Sequence, residues 1–401
     1  MEHYLTQDIG TIILQYTNKN DSFNFVHTSK LMEPIKKILY GRYLFDHRKI
    51  VYHGENKNNK FIVHIKYHTY NPNFMKLYPD LQSLEINSIS FNDSLDILPN
   101  TLRSLLVNSC NFNQAIDNLP SLHSLTINSP VFNQSLDNLP ITLQKLSLSQ
   151  CASFNHTINK LPPNLHFLDF WGCNGFNQSL DFLPETLQYI SIGSRFCQLL
   201  NYLPKNLHTL QLERCNYFNC PLNYLPEKLH TLYISSNSFD QPLDNLPKSL
   251  KNLTLSNCGS FKKPLEHLPE KLESLSLHDA DYKNKLNKLP NITSLYLHIS
   301  AYEQCLNELP NSIKSLTLNY GQLGNKLTKL PDSLEQLKFI SSGPFLRNVL
   351  PNIDILNLIT LKYGKPFDQL PIDNYSLVVN RKDYCNKLTN TQPLTLIFYR
   401  K

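Results

Sequence analysis

The stretch LQKLSLSQCASFNHTINKLP (residues 143–162) is one copy of a pattern that recurs along most of the chain. In each copy, L-x-x-L-x-L leads through a short turn into F-N-x-x-L-x-x-L-P. The Leu-Pro anchors lie 20 to 22 residues apart, and a degenerate one precedes them at Pro79. A short constant period predicts a solenoid, in which each copy packs against its two neighbours. The anchors are Pro99, Pro120, Pro140, Pro162, Pro184, Pro204, Pro226, Pro247, Pro269, Pro290, Pro310, Pro331, Pro351 and Pro371.

Each copy predicts one β-strand. The triplet Leu146-Ser147-Leu148 alternates apolar and polar residues, as a short half-buried strand requires. Stacking such strands gives a parallel sheet along one side of the coil. The proline after each return segment disfavours a helix on the opposite side, because the residue before proline is driven to extended geometry.

Between the strand and the proline, three further positions of each copy hold the same kind of residue. A Cys or small polar residue follows the strand by three residues, and we expect a ladder of buried, reduced thiols that bond turn carbonyls. A Phe eight residues before the proline is expected to stack with its neighbours as an apolar spine. The Asn after this Phe is expected to bond backbone groups of the turn. The predicted ladder contains Cys110, Cys151, Cys173, Cys215, Cys258 and Asn237, and the spine contains Phe91, Phe112, Phe132, Phe154, Phe176, Phe196, Phe218, Phe239 and Phe261, followed by Tyr282, Tyr302, Leu323 and Tyr363.

The repeat resembles a known family. FNQSLDNLP (residues 132–140) and FDQPLDNLP (residues 239–247) are similar to FNIP repeats, a leucine-rich-repeat variant abundant in social amoebae and giant DNA viruses. The resemblance covers residues 79–379. It implies a leucine-rich-repeat-like solenoid of about fifteen coils, with a parallel β-sheet on the concave side and a mostly irregular convex side. Residues 380–401 would form a C-terminal cap with a closing strand.

The N-terminal segment does not follow the repeat. Leu5, Ile9, Ile12 and Ile13 recur at helical spacing, and a second helix would contain Phe25, so residues 1–40 predict a small α-helical module. The string from residue 5 to 31 resembles an F-box. This resemblance implies that the module docks a Skp-family adaptor of a cullin-type ubiquitin ligase. The five apolar residues are the candidates for that contact, and some of them must form the module's own core.

A second interpretation of the same segment stays open. Open solenoid ends must be covered, so the N-terminal helices could serve only as a cap. Residues 41–78 are expected to connect this segment to the first repeat, with strand-forming sequence at residues 61–67. The departure from the F-box pattern is Thr6, which stands where that family usually has proline.

Composition and missing motifs exclude several function classes. The formal net charge of +6 is spread thinly, with no basic block, so we expect no nucleic-acid partner. The sequence has no N-terminal signal and no apolar run of about 18 residues, which predicts an intracellular, cytoplasmic protein (in the host cytoplasm if viral) without a membrane partner. It lacks a P-loop, a dinucleotide fingerprint, H-E-x-x-H and G-x-S-x-G. We therefore expect no enzyme activity, catalytic residue, metal ligand or cofactor.

One stretch of the predicted sheet differs from the rest. Outward strand positions are mostly Ser, Thr or Asn, but Phe167, Asp169 and Trp171 line one strand, with Tyr189 and Tyr233 on nearby ones. Clustered aromatic side chains beside a carboxylate are typical of a protein-binding hot spot. We therefore predict a protein-interaction platform, a substrate receptor that binds an unknown target protein here. The alternative is a non-catalytic interaction or decoy scaffold whose N-terminal helices only cap the array.

Overall fold

The computed structural model describes residues 81–278, 282–299, 306, 308–319, 331, 333 and 334, and the backbone of five further strands. These residues form one sheet of 17 strands. The predicted helical module, with Leu5, Ile9, Ile12, Ile13 and Phe25, lies outside them. The strands are β1 Lys49–Glu55, β2 Lys60–Lys66, β3 Ser83–Asn87, β4 Ser104–Asn108, β5 Ser124–Asn128, β6 Lys145–Ser147, β7 Phe167–Phe170, β8 Tyr189–Ile192, β9 Thr209–Leu212, β10 Thr231–Ser235, β11 Asn252–Ser256, β12 Ser274–His278, β13 Ser294–His298, β14 Ser315–Asn319, β15 Gln336–Ile340, β16 Tyr375–Asn380 and β17 Thr395–Arg400.

Strands follow one another across the sheet in chain order. From β2 to β15 every neighbouring pair is parallel. At the two ends the pairing is antiparallel, between β1 and β2 and along β15, β16 and β17. The chain is therefore a parallel β-solenoid with about eleven repeat turns, and the predicted coils that contain Pro351 and Pro371 lie outside the described residues. Strand β2 covers residues 61–66 of the predicted stretch 61–67, and β17 overlaps the closing strand predicted at residues 393–398.

Alternation within each strand builds the core. In β5, for example, Leu125 and Ile127 are buried, whereas the residues between and beside them are partly exposed. Among the described residues, the segments between strands contain turns and extended backbone and no helix, as the prolines predicted.

The predicted aromatic spine is confirmed over ten successive rings. Each ring lies parallel to the next, with centroids 5.5 to 6.4 Å apart and interplanar angles of 3° to 17°. The Phe rings are almost wholly buried. Phe170 adds edge contacts to Phe154 and Phe176, at 5.3 and 5.0 Å. Tyr302, Leu323 and Tyr363 lie outside the described residues.

The Asn after each Phe links successive coils. Asn92 Oδ1 accepts a hydrogen bond from the backbone N–H of Asn113 at 2.8 Å, and Asn113 Oδ1 accepts from Asn133 at 2.9 Å. The series continues through Asn155 to Asn177 at 3.2 and 3.0 Å. The F-N pair thus supplies one stacking ring and one acceptor per coil, which explains why both residues recur.

The polar ladder exists, but two of its predicted members do not belong to it. Cys110 and Asn237 are exposed, and Ser109 and Ser236 are buried in their place. The prediction counted from the strand, whereas the structure keeps a constant distance of three residues before the spine Phe. The turns of these two copies are one residue shorter than the turn that contains Cys151, so a count from the strand passes the buried position.

Serine and cysteine fill the ladder differently. The hydroxyls of Ser109 and Ser129 donate to the carbonyl of the preceding spine Phe, at 2.7 and 2.8 Å. The thiols of Cys151 and Cys173 donate to a carbonyl at the preceding strand, at 3.2 and 2.9 Å. Burial raises the pKa of Cys258 to about 11, so the buried thiol stays protonated and able to donate at neutral pH.

The extra residue of the cysteine turns has a distinct conformation. Gln150, Gly172, Arg214 and Asn257 have φ angles of 65°, 76°, 54° and 51°, and each directly precedes a ladder Cys. A left-handed residue reverses the chain locally and absorbs the insertion without displacing the spine. The repeat therefore tolerates a variable turn because the spine spacing stays fixed.

Candidate protein-binding site

Side chains on the outer face of the sheet alternate with the core residues and are aligned across strands. The parallel register places Phe167 beside Tyr189 in one row. It places Asp169 and Tyr233 in a second row, with one residue each of β8 and β9 between them. Trp171 follows β7 by one residue. Four of the five predicted site residues thus lie on or next to two adjacent strands, and Tyr233 lies two strands beyond β8.

An aromatic pair forms one end of this region. The rings of Phe167 and Tyr189 are stacked, with centroids 4.3 Å apart and an interplanar angle of 5°. The ammonium of Lys145 lies over the other side of the pair, 4.7 Å from the Phe167 centroid. Both rings are half-buried, so the pair presents a rigid, partly exposed aromatic edge.

Asp169 is held in one orientation. Its Oδ2 accepts hydrogen bonds from the hydroxyls of Ser147 and Ser149, at 3.0 and 3.1 Å. Its Oδ1 accepts from the backbone N–H of Trp171 at 2.9 Å, which ties the tryptophan backbone to the strand end. The Trp171 side chain remains 42% exposed.

Some of the small outward residues are covered by their neighbours. Ser147 and Ser191 are buried, at 5% and 2% exposure. Ser191 lies between Asp169 and Gln211 in the register, and these larger side chains flank it on both sides. Around Asp169 the exposed surface therefore comes mainly from the larger side chains of this face.

The Tyr189 hydroxyl connects the aromatic pair to the next strand. It donates a hydrogen bond to Gln211 Oε1 at 2.7 Å. Burial raises the pKa of Tyr189, and the negative charge of Asp169 raises it further. The phenol is therefore protonated at neutral pH and acts as the donor.

Sequence reasoning missed Glu213, which follows β9 by one residue. Its backbone N–H donates to Ile192 O at 2.7 Å. Its half-buried carboxylate makes no hydrogen bond or ion pair with any described residue. Burial raises its pKa, Arg214 opposes that shift, and the charge of Asp169 adds to it. We name Phe167, Asp169, Trp171, Tyr189, Gln211 and Glu213 the acidic-aromatic patch.

A second aromatic group lies farther along the same face. The rings of His278 and Tyr296 on β12 and β13 are stacked at 4.2 Å with an angle of 17°. Ser276 Oγ lies 3.0 Å from His278 Nε2. This His–Tyr pair was not among the residues that the sequence predicted for the site.

Another group of aromatic residues lies on the return segments, away from the sheet face. Phe182, Tyr202 and Tyr224 hold the equivalent place, two residues before the proline, in three successive coils. They are 66%, 70% and 68% exposed. In the three preceding coils, Asn118, Asn138 and Lys160 at this place donate to an Asp of the coil before.

The described residues hold no group of three or more His, Cys, Asp or Glu side chains placed to ligate a metal ion. The same part of the chain has no helix with the length and apolar content needed to span a bilayer.

Comparison with known proteins supports the repeat assignment. Residues 239–280 match the family model "FNIP Repeat". This match includes the spine residue Phe239 and the FDQPLDNLP stretch that carries the resemblance in the sequence. No curated protein matches the chain significantly.

Solved structures with a related architecture are leucine-rich-repeat proteins. CroV588, described as a novel circular LRR protein, is 28% identical with a TM-score of 0.50, and the match covers 68% of this chain and 49% of CroV588. This chain therefore spans about half the length of that protein. YopM from Yersinia enterocolitica WA-314 is 20% identical with a TM-score of 0.29, covering 64% and 72%. A leucine-rich repeat protein from Bacteroides ovatus ATCC 8483 is 16% identical with a TM-score of 0.19, covering 75% and 79%. The described part of the chain is a parallel β-solenoid that resembles leucine-rich-repeat proteins, with a match to the FNIP repeat model at residues 239–280. This architecture suits a protein-binding scaffold.

Proposed function

We propose that this chain is the substrate receptor of a cullin-type ubiquitin ligase and that its acidic-aromatic patch binds the target protein. The observation that carries the target site is the fixed arrangement of Phe167, Asp169, Trp171 and Tyr189 on a face whose other outward residues are mostly small. Aromatic anchors that are rigid before binding lose little conformational entropy on association. Energetic hot spots of protein interfaces are enriched in Trp and Tyr for the same reason.

The target site predicts a large effect of one truncation. Trp171→Ala should weaken target capture by about 1–2 kcal/mol, roughly a five- to thirtyfold loss, with little change in melting temperature. The measurement is quantitative capture from one extract by the parent chain and by the variant. Tyr224→Ala is the matched control, since it removes an equally accessible aromatic ring from the return segments. Full capture by Trp171→Ala, or loss only with Tyr224→Ala, would move the site elsewhere.

The ligase assignment rests on the F-box resemblance of residues 1–40. The alternative, in which those helices only cap the solenoid, stays open. Strand β2 pairs with β3, and β1 pairs with β2. The first repeat is therefore covered by β2, and β1 forms the edge that such a cap would meet.

Adaptor binding is the decisive test between receptor and scaffold. Ile9→Glu should abolish co-purification with a purified Skp-family adaptor, because a carboxylate would replace an apolar contact of the module. The circular dichroism spectrum and melting temperature of the repeats should stay unchanged. Trp171→Ala serves as the control and should retain the adaptor. A parent chain that never binds the adaptor would support the non-catalytic scaffold instead.

A further inference from the structure

We propose that the acidic-aromatic patch recognises a cationic side chain, lysine or arginine, of the partner protein. This inference rests on the proposed target site and adds the chemical class of the group bound there. Three observations support it. The first is the strand register at the ends of β7, β8 and β9, and the second is the half-buried carboxylate of Glu213. The third is the ammonium group of Lys145, which already lies on an aromatic ring of the patch.

The strand register separates Trp171 and Glu213 by a distance that suits a bound cation. One residue beyond the paired strands, Gly193 lies between Trp171 and Glu213. With strands about 4.8 Å apart, the α carbons of Trp171 and Glu213 are separated by about 10 Å. An ammonium group needs about 6 Å or less to a ring centroid and about 3 Å to a carboxylate oxygen. The separation of the two α carbons therefore matches what one cation bridging the two side chains requires.

Gly193 is buried and lies three residues before Phe196, which is the ladder position of its coil. Glycine adds no side chain between Trp171 and Glu213. A Cβ at this position would lie 3.1 Å from the backbone N of Gly172 and 3.3 Å from Phe170 O, so a larger residue meets backbone atoms. The coil that contributes Gly193 is also the shortest in this part of the solenoid, because Phe196 follows Leu187 at a spacing of 9 residues.

The two carboxylates of the patch differ in what they can offer. Asp169 is engaged by two hydroxyls and a backbone N–H, whereas the Glu213 carboxylate makes no hydrogen bond or ion pair with a described residue and senses Arg214 only through its charge. A half-buried carboxylate without hydrogen-bond donors has lost part of its hydration, and a cation with N–H donors would restore those hydrogen bonds. Glu213 is therefore the direct acceptor, and the fixed charge of Asp169 reinforces the negative potential.

The chain provides an internal example of the same chemistry. The Lys145 ammonium lies 4.7 Å from the Phe167 centroid, on the side of the ring opposite its stack with Tyr189. An aromatic face of this patch thus already binds an ammonium group. The exposed ring of Trp171 offers a second face, and indole is the best of the aromatic groups for a cation.

Trp171 reports directly on binding, because it is the only Trp in the chain. The probe is a pentalysine peptide, and its fully Nε-acetylated form is the matched neutral ligand. Pentalysine should change Trp171 fluorescence saturably, and the acetylated peptide should not. The protein carries a formal charge of +6, so pentalysine is repelled overall and saturable binding requires a local site.

A pair of charge-removing variants locates the site. Glu213→Gln should weaken pentalysine binding at least about fivefold, and Glu227→Gln, the same change on an exposed residue outside the patch, should leave it unchanged. Glu227→Gln should melt like the parent, and Glu213→Gln should melt at the same or a slightly higher temperature, because burial disfavours the charged form of Glu213. Equal binding of the acetylated peptide, or unchanged binding by Glu213→Gln, would overturn the proposal.

Acid pH gives an independent measurement. Protonation removes the charge that binds the cation, so affinity should fall as the pH drops through the raised pKa of Glu213. The groups that act on this carboxyl are Asp169 and Arg214, and the fall should be smaller in Glu213→Gln. If pentalysine does not bind while Trp171→Ala still lowers target capture, the cationic partner is wrong and the target site stands. If pentalysine does not bind and Trp171→Ala does not lower target capture, both the cationic partner and the proposed target site are wrong.

Discussion

Replacing Phe154 with alanine is expected to lower the free energy of unfolding by about 3–5 kcal/mol. Phe154 is fully buried and stacked between Phe132 and Phe176, at 6.3 and 5.9 Å, and Phe170 packs against its edge at 5.3 Å. Truncation removes contacts with three rings at once, and the stacked coils on both sides prevent the cavity from collapsing. Urea denaturation of parent and variant would measure the loss.

Phe182→Ala is the matched control for this truncation. The same atoms are removed from a side chain that is 66% exposed, so the cost should stay within about 0.5 kcal/mol. Because each coil packs mainly against its neighbours, Phe154→Ala should increase hydrogen exchange first in the coils next to residue 154. An increase spread evenly over the chain, or equal destabilisation by the two variants, would contradict the spine.

The spine could be predicted because its sequence spacing does not vary. Each Phe lies eight residues before its proline. If one coil were shifted by one residue against the next, its Phe ring would leave the stack. The constant spacing is therefore compatible with a single alignment of the coils. The ladder was predicted less well because it lies on the other side of a turn of variable length. Ser109 and Cys110 are both small, and composition does not distinguish the buried one from its exposed neighbour.

The candidate site shows the same limit. Phe167, Asp169, Trp171 and Tyr189 could be found because their alternation within a strand fixes the face on which they lie. Glu213 follows its strand, and its position opposite Trp171 depends on the turn of the coil between them. In that coil the spine Phe follows the first Leu at a spacing of 9 residues, whereas in the coils on both sides the spacing is 11. The register across unequal turns is a property of the packed solenoid, which the sequence of one copy does not contain.

Replacing Cys151 with leucine is expected to lower the free energy of unfolding by about 1–3 kcal/mol. Cys151 is fully buried, and its thiol donates to Ile127 O at 3.2 Å. A leucine would overpack the space between two coils and leave that carbonyl without its donor. Cys151→Ser should cost less than about 1 kcal/mol, since a hydroxyl can donate in the same turn, as Ser129 does one coil earlier.

Cys110→Leu decides whether the ladder is counted from the strand or from the spine. Counting from the strand makes Cys110 equivalent to Cys151, and both leucine variants would then be destabilised alike. In the structure Cys110 is exposed and Ser109 is the buried donor to Phe91 O at 2.7 Å. Cys110→Leu should therefore change the free energy of unfolding by no more than about 0.5 kcal/mol, whereas Ser109→Leu should match Cys151→Leu. Thermal melts of the three leucine variants under reducing conditions measure the difference. A Cys110→Leu protein as unstable as Cys151→Leu would show that the strand, and not the aromatic stack, sets the register of the turn.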